Sequence, residues 1–93
     1  MAKVKINLLN IFYLQLKKKS VEYEGKTVNE VVKKFVKDYK DKLDDRLLSK
    51  NKKKLDSQIL VLLNGKNVDL LKNSKTKLKD GDEIYLSIPL SGG

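Results

Sequence analysis

The two residues with the plainest chemical use are the last two, Gly92 and Gly93, which leave a terminal carboxylate with no side chain around it. A carboxylate is a poor acyl donor until ATP converts it to an acyl adenylate. A partner that does this must draw the backbone through a slot narrow enough to refuse other chain ends. Any Cβ would clash in such a slot, so glycine at both positions suits it. Glycine is also what ordinary fraying tolerates at a chain end, so the pair gains meaning only from what precedes it. The composition closes most other routes. With no cysteine and no histidine, disulfides, thiolate nucleophiles, soft metal ligands and histidine-based triads are excluded. No glycine-rich phosphate loop is present. We therefore expect no catalytic residue, metal site or bound cofactor in the chain itself.

The residues before the pair decide how they are presented. Lys79-Asp80-Gly81-Asp82 has the chemistry of an Asp-Gly turn, and Ile84, Leu86 and Ile88 then alternate with Tyr85 and Ser87, the period of a half-buried strand. Pro89 lacks an N–H and fixes φ, so the ladder is expected to stop there. This predicts a folded body over residues 1–90 and a flexible tail over 91–93, poorly ordered in the free protein.

In chain order, Val4, Ile6 and Leu8 alternate with Lys3, Lys5 and Asn7 as a first strand. Leu9 to Lys19 reads as an apolar connection that ends in the run Lys17-Lys18-Lys19, a solvated loop or, as like charge beside the first hairpin, a surface for an acidic partner. Val21 and Tyr23 alternate with Ser20 and Glu22 as a second strand. Thr27-Val28-Asn29-Glu30 is a capping box, and Val28, Val31, Val32, Phe35, Val36 and Tyr39 follow at helical spacing as one apolar stripe. Leu43, Leu47 and Leu48 suggest a short second helix, and Lys50 to Lys54 is too polar to pack. Gln58 to Leu63 reads as a strand, Asn64-Gly65 as a hairpin turn and Lys66 to Val68 as the return arm. Leu70, Leu71 and Leu78 are expected to close the edge of the core. A hairpin, a crossover helix and further strands give an α+β fold. Its mixed sheet of four to five strands packs on one main helix, with the last strand parallel to the first.

The segment Ile59 to Leu63 is apolar without alternation. If Ile59, Val61 and Leu63 face the helix, Leu60 and Leu62 lie on the outer face of the sheet, where apolar residues often mark an interface. The alternative is a loop or short helix folded over them. The same parity turns Tyr85 and Ser87 outward. Leu60, Leu62, Tyr85, Ser87, Pro89 and Leu90 then form one patch leading into Gly92-Gly93.

Ninety-three residues make one domain. No apolar run approaches a membrane span, and the first fifteen residues lack the unbroken apolar core of a signal peptide, so a cytoplasmic protein is expected. The net charge of +9 invites a nucleic-acid reading. However, only Arg46 of the 21 basic residues is arginine, so the bidentate fork that reads base edges is nearly absent. A lysine-rich solvated surface is the better account of the charge.

The blocks Val61-Leu62-Leu63-Asn64-Gly65-Lys66-Asn67-Val68, Leu78-Lys79-Asp80-Gly81-Asp82-Glu83-Ile84 and Pro89-Leu90-Ser91-Gly92-Gly93 sit in the order of a known family. The chain resembles the ubiquitin-like sulfur carriers (MoaD/ThiS-like), particularly the small subunit of molybdopterin synthase. The resemblance implies a β-grasp fold and a non-catalytic carrier. In that family role, a ubiquitin-activating-like adenylyltransferase uses ATP on the carboxylate of Gly93, and a sulfur donor converts it to a thiocarboxylate. A larger molybdopterin synthase subunit then takes the sulfur for molybdenum cofactor biosynthesis. It also implies alternatives: conjugation of Gly93 to lysines of target proteins, or sulfur delivery for thiamine or tRNA thiolation.

Overall fold

The computed structural model describes residues 1–68 and 76–88. Five strands form one mixed sheet: β1 (Ala2–Leu8), β2 (Ser20–Gly25), β3 (Leu60–Leu63), β4 (Lys66–Asn67) and β5 (Glu83–Ser87), in the order β2-β1-β5-β3-β4. β1 is antiparallel to β2 and parallel to β5, and β3 is antiparallel to both β4 and β5. The crossover helix leads from β2 to β3, which run parallel to each other on either side of the central β1–β5 pair.

That helix, α2 (Val28–Tyr39), starts where its capping chemistry places it. The Thr27 side chain accepts from the Glu30 N–H at 3.2 Å. Glu30 reaches back to the N–H of Lys26 at 3.3 Å, one residue further than the simplest capping box. Val28, Val31, Val32, Phe35 and Val36 are buried, and Tyr39 packs at the margin. Opposite them lie Val4, Ile6, Leu8, Val61, Ile84 and Leu86, all buried. Phe35 anchors the core, with Phe12 and Tyr23 each at 6.5 Å and Tyr39 at 5.2 Å between ring centroids. The Tyr23 hydroxyl donates to Asp38 at 2.8 Å; burial first, and that carboxylate second, push its pKa well above the ordinary phenol value. Gly25 is buried because α2 crosses so close that a Cβ there would stand 2.7 Å from Cγ2 of Val31.

Three expectations are corrected. Residues 9–19 are not simply a connection, since α1 (Ile11–Leu16) forms inside them and buries Phe12 and Leu16. Asn10, a residue type that commonly caps, precedes α1 without making a side-chain capping bond. The helix expected around Leu43, Leu47 and Leu48 is only a three-residue 3₁₀ turn, Asp45–Leu47, capped by Asp44. Those leucines and Leu55 join the main core rather than hiding Leu60 and Leu62. The strand expected from Gln58 begins at Leu60. Leu70 and Leu71 lie outside the described residues, whereas Leu78 packs against the core.

Candidate functional site

Strand register sorts the two faces of the sheet. On the inner face, Ile84 pairs with Ile6, and Leu86 with Leu8 and Val61. The next row projects to the outer face: Asn7, Tyr85 and Leu62 lie side by side across three strands, with Ser87 beside Leu60. Leu60, Leu62, Tyr85 and Ser87 are half-buried. Leu60 and Leu62 are also absent from the apolar cluster that holds Ile59, Val61 and Leu63. Leu62 and Tyr85 line a shallow cleft of about 490 Å³ with Leu9, Asn64, Gly65 and Glu83. The structure thus brings together four of the residues singled out from the sequence. The other four, Pro89, Leu90, Gly92 and Gly93, lie outside the described residues, as does the tail expected over 91–93.

Leu9 was missed. It is 39% exposed and extends the patch from the end of β1, where its N–H donates to the carbonyl of Leu86 at 3.1 Å. The signal was its position: Leu8 and Leu9 cannot both face the core of a strand with period two.

The leading end of β5 is fixed by a polar brace. Asn64 and Gly65 both have positive φ, 50° and 89°, as a tight two-residue hairpin turn requires. The Asn64 side chain donates to Asp82 at 2.9 Å and accepts from the Glu83 N–H at 2.9 Å. Asp82 also accepts from the Lys79 N–H at 2.8 Å. The Asn64 amide first, and the Lys79 N–H next, hold the Asp82 carboxyl below the usual carboxylate range. Asp80 accepts from the Lys3 N–H at 2.8 Å, which ties the turn to β1.

Among the described residues, no cluster of acidic side chains could hold a metal. Among the same residues, no helix is long and apolar enough to cross a membrane. What the sheet offers is a half-apolar outer face on β3 and β5.

A five-stranded mixed sheet with a parallel central pair, packed on one long helix, defines a ubiquitin-like β-grasp protein. The chain belongs to the ThiS family, whose model matches residues 8–93. It is thus one of the ubiquitin-like sulfur carriers and modifiers. No functionally curated protein matches its sequence. The small archaeal modifier protein 1 from Methanosarcina acetivorans is similar, with 30% identity and a TM-score of 0.81, over 100% of this chain and 98% of that one. A chain of the Amycolatopsis orientalis BexX/CysO complex is 26% identical with a TM-score of 0.65, over 97% and 99%. A protein assigned as molybdopterin converting factor, subunit 1, from Pyrococcus furiosus shares the fold at 20% identity, with a TM-score of 0.66 over 97% and 100%.

Proposed function

We propose that the carboxylate of Gly93 is the working group of a cytoplasmic sulfur carrier. An ATP-dependent adenylyltransferase of the ubiquitin-activating kind joins it to AMP and releases pyrophosphate, and a persulfide sulfur then displaces AMP. Reduction of the resulting S–S bond by a thiol leaves Gly93 as a thiocarboxylate. A larger molybdopterin synthase subunit receives this group and passes the sulfur to a pterin precursor. The single observation that carries the reading is the family match running from residue 8 through Gly93, which takes in the Gly92-Gly93 pair. The half-apolar face of Leu60, Leu62 and Tyr85 supports it, because a partner seated there receives the end of the chain from a fixed direction. Pro89 and Leu90 are proposed to continue that face.

A second reading has its own support. The 30% identity to a small archaeal modifier over nearly the whole of both chains favours joining activated Gly93 to lysine amines of other proteins. Sulfur delivery for thiamine or for tRNA thiolation differs from the first reading only in the acceptor.

Intact mass of the protein made beside its adenylating partner and a persulfide donor separates these. Exchange of one carboxylate oxygen for sulfur at Gly93 is expected, and an unaltered carboxylate contradicts the carrier role. Proteolysed cell extract carrying lysines linked to Gly93 would establish conjugation. Binding of RNA or DNA that weakens steeply with salt yet survives removal of Gly92 and Gly93 would instead return function to the basic surface.

A further inference from the structure

The corner between β1 and β2 carries apolar residues that the fold does not use. Leu9, Tyr13 and Leu14 are 39%, 43% and 69% exposed. Among the described residues, Met1 is the one other large apolar side chain exposed to this degree. α1 already secures its place through Phe12 and Leu16, and Gln15 ties it to the next turn by accepting from the Asp44 N–H at 2.7 Å. Polar residues at 13 and 14 would leave that packing intact. Three exposed lysines, Lys17, Lys18 and Lys19, follow directly.

This corner adjoins the end of β5. Leu9 lines the cleft of Leu62 and Tyr85, and the Ser87 hydroxyl donates to the side chain of Asn10. A body that sits on the outer sheet face and takes the end of the chain therefore meets α1 as well. We propose that Leu9, Tyr13, Leu14 and Lys17–Lys19 form a second docking element for the adenylating partner. It is fitted to an apolar shelf bordered by acidic side chains. The inference rests on the carrier reading above.

Charge selects this occupant. A lysine run beside an apolar step is complementary to an acidic rim. A second copy of a chain with net charge +9 would bring like charges together. A six-residue helix also has little length to lie along a bilayer surface.

The test measures binding of the full chain to the purified adenylating partner at low and high salt. Combined Tyr13→Ser and Leu14→Asp should weaken the complex by about tenfold or more, with melting of the free chain unchanged. Lys17→Glu, Lys18→Glu and Lys19→Glu together should slow association several-fold and flatten its salt dependence. Hydrogen exchange on the unaltered chain guards against folding defects: backbone amides of residues 11–16 should gain protection in the complex. Unaltered binding by both variants, or no protection over 11–16 while the native chain is still adenylated, overturns this inference alone. A partner that neither binds nor adenylates the native chain overturns the carrier reading with it. Binding to phosphatidylcholine–phosphatidylserine vesicles, or dimerisation in sedimentation, that is lost in the Tyr13/Leu14 variant would overturn the proposal by giving this surface to a bilayer or to a second copy.

Discussion

The two ends of β5 are built differently. At the leading end, Asn64, Lys79 and Asp82 exchange hydrogen bonds that lock the hairpin turn, the Asp80-Gly81 turn and the start of the strand into one polar brace. At the trailing end, the side-chain tie is Ser87 to Asn10, and around it stand half-buried Leu60 and Ile88 and exposed Leu9. Register is therefore set where β5 begins, and the apolar outer surface runs from Leu62 and Tyr85 in the middle of the strand to its finish. The proposed carrier role calls for that division, because a partner must reach the outer face while the strand keeps its register.

The largest effect should come from the core that joins the two ends. Leu86 is fully buried, and Leu86→Ala should cost about 2–5 kcal/mol, read as a lower denaturation midpoint. Its outward neighbour on β3 gives the contrast. Leu62→Asp should leave stability within about 0.5 kcal/mol while weakening the complex with the adenylating partner. If Leu62→Asp unfolds the domain, the outer face is core and the two ends of β5 do not differ as described.

Next comes the brace itself. Asn64→Ala removes both side-chain hydrogen bonds and puts alanine at a φ of 50°, so a loss of roughly 1–3 kcal/mol is expected. Asp82 adds a pH signature. Its pKa is lowered in the folded chain, so the stability it contributes is present above the unfolded value and is lost as pH falls through the folded one. Below about pH 4, the unfolding midpoint of the native chain should fall more steeply than that of Asp82→Asn. Parallel profiles would remove Asp82 from the brace. The smallest effect belongs to the trailing end, where Ser87→Ala should change stability by no more than about 1 kcal/mol because the bond it loses is exposed to water.

Much of this was legible because period and turn chemistry agreed. Val4-Ile6-Leu8, the α2 stripe and Asn64-Gly65 each match one backbone geometry and conflict with the others. The outward parity of Tyr85 followed from the same alternation, whereas that of Leu62, in a segment without alternation, followed from setting Ile59, Val61 and Leu63 against the helix. α1 was not legible because it spans only six residues and its two exposed apolar residues blur the periodicity, although Asn10 and the pair Phe12 and Leu16 at i and i+4 were usable hints. The polar brace was equally hidden. Asn64 and Asp82 are eighteen residues apart, and only the pairing of β3 with β5 makes them neighbours.

The central claim is that the folded face binds while Gly93 reacts, and pyrophosphate exchange into ATP by the adenylating partner tests it most directly. The native chain should support exchange. A chain lacking Gly93 should bind with comparable affinity yet support none, and Leu62→Asp should support it only at raised concentration. Exchange that persists without Gly93 would contradict the account, since the carboxylate being activated would then not be the one this sheet presents.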